Sequence, residues 1–406
     1  MDIQLPTPAD FARRALTHAQ MLAKNGRGSA TVAEKLAAEE VGVQLDALGI
    51  SDVKLQPFSG ERSLWLFVAL AFGLALVGHA AYWLLIGPLG ALPTLIIAWL
   101  AFGFSGYLVW CKFTNIDYPF SKALPHAPSQ NVIAKIPPSG EVQRRLVLVA
   151  HLDSHRAVFW FASDFLVRVF TPVAICAMFG IYLAIPAYGL AVLTHWQIFA
   201  WLGFFFAVFH FIAWFTGVTA DLGQYSPGAN DNASSMGTVL ALAERIKAQP
   251  LANTEVWLAF TGCEETSGNG ILALVKEYGS TLKEALFLDF EMVGIGDEIS
   301  YIRQEGNIRP LTIPQDTEAF IREAGREHGL LIAQAPLVGA ATECSILWKH
   351  GFKAVCLVAH RTGSTLLPEW HRLTDTPDHL EVTSLERVHK LGWGILQRFD
   401  QRGISL

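Results

Sequence analysis

Charge is what this sequence has least of. Only 16% of its 406 residues are Asp, Glu, Lys or Arg, while 52% are hydrophobic, with 26 Phe and 12 Trp. So apolar a chain is a poor fit to an ordinary soluble enzyme and directs attention to membrane spans. Dense basic runs are missing too, and the net charge is −6, so nucleic-acid binding has no support. Cysteine is scarce and odd in number: Cys111, Cys176, Cys263, Cys344 and Cys356, with no CxxC spacing. That argues against a disulfide framework or a structural zinc knot, and for a reducing compartment. The opening "MDIQLPTPADFARRALTHAQ" has neither the basic start nor the apolar core of a secretory signal peptide. No Ser stands in a G-x-S-x-G elbow, which disfavours a serine hydrolase.

What is present in abundance is long charge-free runs. Residues 64–87, 90–110, 169–193 and 196–217 each carry no Asp, Glu, Lys or Arg. Each is about the ~20 residues a helix needs to cross the hydrocarbon. Trp and Tyr gather near several ends, as interfacial anchors do. The linkers within each pair are very short, so two transmembrane hairpins are predicted, over 63–110 and 166–217. A hairpin returns the chain to the side it left. The polar segments 1–62, 111–165 and 218–406 are therefore expected to share one face of the membrane and form one domain. The hairpin tips carry no Lys or Arg, whereas Arg62, Lys112, Arg156 and Arg168 flank the other ends. By the positive-inside rule this multi-pass integral membrane protein would hold its polar mass in the cytoplasm. His79 and His210 lie inside spans and read as inter-helix hydrogen-bonding residues. Two histidines are thin support for a transporter.

The polar segments alternate strand and helix patterns. Residues 9–48 read as helices. "DVKLQPF", "NVIAKIP", "RLVLVAHLDS", "TEVWLAFTG", "EALFLDFEMVG" and "KAVCLVA" read as strands, with helices from 233, over "GILALVKEYG", near 316–328 and over 381–399. The predicted fold is α/β: a mostly parallel sheet sandwiched by helices, with the two hairpins inserted. Catalytic groups in such folds sit at the carboxyl ends of strands. His151 and Asp153 follow one strand, Glu264 and Glu265 another, and Asp289 and Glu291 end a third. His371 lies in a loop after the last strand, and Asp231 lies just before a helix. Taken singly these are ordinary residues. Adjacent carboxylates are usually a solvated turn, and an Asp in a Gly/Asn loop is usually a cap.

Taken together they suggest chemistry. Histidine and carboxylate without thiolate suit zinc or a similar divalent ion. One metal needs about three protein ligands; two sharing a bridging carboxylate need about five. His151, Asp231, Glu265, Glu291 and His371 make such a set, leaving Glu264 for proton transfer.

The ordered motifs "VAHLDS", "GANDNAS", "CEE", "FEMVG" and "HRLTDTPDHL" resemble those of the di-zinc exopeptidases that include leucyl aminopeptidase, aminopeptidase Y, glutamate carboxypeptidase and glutaminyl cyclase. The resemblance implies a zinc aminopeptidase-like fold and two zinc ions per chain. It implies that His151 binds the first ion, Asp231 bridges both, Glu265 binds the second and His371 completes it. Glu264 would be the general base for the metal-bridging water. Glu291 stands where the family has Asp, with Asp289 two residues earlier as the alternative ligand. Asp153 and Asp375 resemble carboxylates that orient His151 and His371 through their other ring nitrogens. Departures fall on the substrate pocket: "TSGNG" after the acids, "ASS" for "ASG", and Thr342-Glu343-Cys344 for Ser-Asp-His. The expectation is a membrane-anchored exopeptidase acting on peptides, an aminopeptidase first, with a glutaminyl cyclase-like enzyme or a non-catalytic membrane scaffold as alternatives.

Overall fold

The computed structural model describes residues 6–114, 123–306, 310–328, 341–364 and 366–404, together with the backbone of 332–335. Two N-terminal helices come first, α1 (Pro8–Leu22) and α2 (Val32–Ala47). Thr7 caps α1 in a reciprocal pair with Asp10, and Thr31 caps α2 through the Glu34 amide. The strands are β1 (Val53–Glu61), β2 (His126–Ile136), β3 (Arg144–His151), β4 (Thr254–Thr261), β5 (Leu286–Glu291), β6 (Glu298–Ile302), β7 (Gln304–Glu305), β8 (Leu311–Thr312), β9 (Ile332–Ala335) and β10 (Lys353–His360). Eight of them form one sheet in the order β1-β2-β4-β3-β5-β10-β6-β9.

The expectation of a mostly parallel sheet needs correction: the sheet is mixed. The central run β4-β3-β5-β10 is parallel, but β1–β2, β2–β4 and β10–β6 are antiparallel. A parallel return needs a crossover of about a dozen residues or more. β6 follows β5 after residues 292–297 only, so it runs back against β10, while β9 beyond it is parallel to β6. β1 and β2 pair from Val53↔Ala134 to Glu61↔His126, as one long hairpin whose loop is the first apolar pair of helices.

Successive strand residues point to opposite faces. Leu146, Val147, Leu148 and Val149 of β3 are all fully buried, so both faces of the sheet are covered. α1 packs with α7 (Ser234–Ala248) and α12 (Val382–Arg402), and α10 (Gln315–Glu327) joins α12. α9 (Asn269–Tyr278), which follows the single turn α8 (Glu264–Ser267), packs with α11 (Glu343–Lys349) over β1, β2 and β10.

The four apolar runs are helices long and apolar enough to cross a membrane: α3 (Leu64–Leu89), α4 (Ala91–Phe113), α5 (Asp164–Thr194) and α6 (Gln197–Ala220). α3 packs on α4 and α6, and α5 on α6 and α4, which makes a four-helix bundle. His79 and His210 share a hydrogen bond in its core at 2.9 Å, as the inter-helix reading expects. Close approach is built with glycine: a Cβ on Gly217 of α6 would lie 2.5 Å from the Ala69 backbone nitrogen of α3. Gly217→Val should therefore push the two helices apart and cost about 1–3 kcal/mol. Thermal unfolding of the protein in detergent reads this as a lower Tm, and an unchanged Tm would contradict the packing.

Candidate active site

The predicted residues converge at the carboxyl ends of the central strands. His151 ends β3, Glu291 ends β5, and Glu264 and Glu265 open α8 just after β4. Asp231 sits in the turn at 229–233 that leads into α7, and His371 lies in the loop after β10. Left-handed backbone at Cys263 (φ 54°), Met292 (φ 48°) and His371 (φ 56°) turns the chain sharply beside three of them. Such conformations cost energy and persist where the surroundings hold them.

Asp231 is the centre. Its Oδ1 lies 3.3 Å from His151 Nε2, and its Oδ2 lies 3.4 Å from His371 Nε2. Glu291 Oε2 stands 3.3 Å from His151 Nε2, and Glu265 Oε2 stands 3.2 Å from His371 Nε2. Two donor sets therefore share one carboxylate: His151, Asp231 and Glu291 on one side, and His371, Asp231 and Glu265 on the other. Within His151–Asp231–Glu291 the donor atoms lie within 4.8 Å of one another, and so do those of His155, Glu265 and His371.

Divalent cations fit this arrangement. Asp231 Oδ1 and Glu265 Oε1 are buried with no hydrogen-bond partner among the described residues, which is costly unless something binds there. Burial pushes Glu264 and Glu265 well above the usual carboxylate range, against the pull of His151. Burial would lower His151, yet Glu291, Asp153 and Asp231 override it and hold the imidazole well above its ordinary value. The site thus favours positive charge on its nearest base. Hard oxygen and imidazole donors of this kind suit zinc.

The supporting residues hold the donors by their backbones. Asp153 accepts from the Glu264 and Glu265 amides at 3.1 and 3.2 Å and from Ser29 Oγ at 2.6 Å. Its Oδ1 is 3.4 Å from His151 Nδ1. Asp375 acts differently from the expectation. Its two oxygens accept from the Asn230 and Asp231 amides at 2.7 and 3.0 Å, so it fixes Asp231 and not His371, whose Nδ1 has no partner among the described residues. Burial pushes its carboxyl up to about 7 despite those amides. Asp289, the alternative ligand, is buried with Cys344 Sγ 3.9 Å away and stands outside both donor sets.

Three residues were not anticipated. His155 stacks on His371 with centroids 3.7 Å apart and joins it and Glu265 as a possible donor. Its place four residues after His151 was the available signal. Arg27, 2% exposed, donates to the carbonyls of Leu152, Leu22, Pro227 and Gly228 at 2.8–3.1 Å. It so ties α1 to the loops that carry His151 and Asp231. Glu34 accepts from the Cys263 amide at 2.8 Å and sets the turn before Glu264. Nothing local in the sequence marks either.

A cavity of about 610 Å³ opens on Asp231, Glu264, Glu265, Glu291 and His371. Its volume suits a small-molecule or peptide-end substrate.

Residues 210–395 match peptidase family M28. The M28 stretch is less than half of the chain, but it holds Asp231, Glu264, Glu265, Glu291, His371 and Asp375, leaving His151 outside. The fold is similar to a zinc aminopeptidase from Bacillus subtilis, with TM-score 0.55, 14% identity and 95% of each chain covered. It is also similar to a glutaminyl cyclase from an Acidobacteriales bacterium, with TM-score 0.57, 13% identity and 99% of each chain covered. A leucine aminopeptidase precursor from Bacteroides thetaiotaomicron gives TM-score 0.53 and 12% identity over 95% of this chain and 96% of the other. No curated protein matches the sequence. The structural likenesses speak for the fold; with the M28 match they support a metal-dependent peptidase.

Arg27→Met should leave the carbonyls of Leu152, Leu22 and Pro227 without donors, Gly228 keeping the Ala233 amide, and cost about 3 kcal/mol or more. Chemical denaturation measures this, and a loss near zero would show that the loops stand without the guanidinium.

Proposed function

We propose that the chain is a membrane-anchored, zinc-dependent exopeptidase, an aminopeptidase in the first place. The carrying observation is that Asp231 turns one oxygen to His151 and the other to His371, each accompanied by a glutamate, with Glu264 beside them. His151, Asp231 and Glu291 would hold one ion; Asp231, Glu265 and His371 would hold the other. When bound, such ions polarise a carbonyl and make water more acidic. The protein's own part is positional. Glu264, its amide pinned by Asp153, takes the proton of the attacking water and passes it to the leaving amine. The water adds to the carbonyl carbon, the C–N bond breaks, and an acid and an amine leave.

Membrane anchoring is supported by the four long apolar helices and by where they are rooted. Ser63 before α3 bonds Asp221 after α6 at 2.6 Å, and Lys112 near the end of α4 bonds Glu61 of β1 at 2.7 Å. Arg372 bonds Asp164 at the start of α5. The helix ends at the catalytic part are thus held together and the hairpin tips point away from it. With Arg62, Lys112, Arg156 and Arg168 on the rooted side, the catalytic part belongs in the cytoplasm.

The cyclase reading draws on the fold likeness to glutaminyl cyclases. Metal content separates the two: two ions with release of N-terminal residues supports the peptidase, and one ion with cyclisation of N-terminal Gln supports the cyclase.

Glu264→Gln should lower kcat by about 10²–10⁴-fold while metal content, measured by mass spectrometry, stays at the wild-type value. Wild-type protein with neither metal nor turnover would sink the enzymatic reading in favour of a scaffold. Asp153→Ala should weaken metal affinity about 10–100-fold, read by chelator competition; unchanged affinity would deny its orienting role.

A further inference from the structure

The cavity that opens on the acid cluster does not end at the sheet edge. It passes Trp160 and Phe161 and enters the four-helix bundle, where Phe72 of α3, Val173, Ala174 and Ala177 of α5, and Ala213 of α6 line it. On α3 the lining runs from Leu64 to Phe72, about 12 Å of helix at a rise of about 1.5 Å per residue. The space exists because α4 and α5 meet farther out. Trp99 Nε1 donates to the Ile185 carbonyl at 3.0 Å, and Tyr182 OH to the Gly106 carbonyl at 2.7 Å. Nearer the catalytic part, Phe113 of α4 and Phe170 of α5 border the cavity. Below Ala177 the bundle is closed. His210 Nε2 bonds the Ala177 carbonyl at 3.0 Å, His79 bonds His210, and Tyr188 bonds His79 at 2.7 Å.

Among the described residues this arm is apolar but for one group. Of its lining residues in the bundle core, Thr216 brings a hydroxyl, and that already accepts from Trp160 Nε1 at 2.9 Å. An extended peptide laid along it would bring an N–H and a C=O per residue with nothing to bond, which is strongly unfavourable. A hydrocarbon chain asks for no partners and gains with every methylene buried. At the other end, Glu305, Thr342 and Ser345 offer polar atoms beside the acids.

We propose that the substrate is an amphiphilic amide, a fatty-acyl amino acid or fatty-acyl short peptide. Its hydrocarbon chain lies in the bundle arm and its scissile carbonyl lies at the acid cluster. The proposal rests on the amide-hydrolysis chemistry of the reading above, and puts a fatty acyl group where an aminopeptidase would take a residue with a free amine. Water adds to the acyl carbon, the acyl C–N bond breaks, and Glu264 carries the water's proton to the amine nitrogen, releasing a fatty acid and a free amino group. Phe72, Ala177 and Met178 at the end of the arm then limit chain length.

The test uses the full chain in phosphatidylcholine vesicles and an N-acyl-leucine series: acetyl, octanoyl, dodecanoyl and hexadecanoyl. kcat/KM should rise about tenfold or more from acetyl to dodecanoyl. Ala174→Trp should move the optimum to shorter chains, whereas Val208→Trp, on an outward position that is 53% exposed, should keep the wild-type profile. Binding of a fluorescent dodecanoic acid by Glu264→Gln, displaced by unlabelled fatty acid and weakened by Ala174→Trp, gives a readout independent of turnover. Hydrolysis of free leucyl peptides with a flat acyl-chain profile overturns this inference and leaves the peptidase reading standing. Metal-free protein that hydrolyses neither class overturns both.

Discussion

Buried negative charge is the constraint around which this structure is arranged. Asp153, Asp231, Glu264, Glu265, Glu291 and Asp375 are gathered at one sheet edge, largely out of water. Carboxylates removed from solvent are costly unless something positive or hydrogen-bonding meets them. Part of the answer is internal. Backbone amides point at Asp153 and Asp375, and Arg27 lies close enough to Asp375, Asp231 and Asp153 to feel all three. The remainder is unsatisfied oxygen, and it faces inward to the space between His151 and His371. Divalent cations held there would offset the charge that the polypeptide leaves open.

The apolar helices are joined to that centre by single polar links. Lys112 reaches Glu61 and Ser267, two residues beyond Glu265. Arg372, next to His371, bonds the Phe161 carbonyl just before α5 at 2.9 Å. Each hairpin therefore touches the loop of one donor set. The bundle is part of the site in this arrangement, since its inner residues continue the wall of the cavity that opens on the acids.

Much of this could be read from the sequence, for identifiable reasons. Uninterrupted apolar runs gave the central strands and the four long helices, because burial on both faces leaves little choice of residue type. The rule that strand ends carry function then located His151, Glu264, Glu265 and Glu291. What was hidden depended on distance along the chain. Arg27 bonds carbonyls 125 and 201 residues away, and no local pattern announces such partners. The antiparallel β6 escaped because "EISYI" is too short to stand out, although the brief link from β5 contained the reason for its direction. Asp375 was placed near the right residues, but only coordinates show that its two oxygens are occupied by the amides of Asn230 and Asp231. The continuity of one cavity from a polar end to an apolar end is a property of packing that no single segment records.

β1 and β2 close around the first pair of apolar helices as around an oversized loop, which plants the catalytic floor at the foot of the bundle. Were those helices in a bilayer and the reactant an oily amide, as proposed, their encounter would become a search in a plane. The governing concentration would then be the reactant's mole fraction among lipids. Diluting the sheet with inert lipid would slow the reaction even at constant bulk molarity.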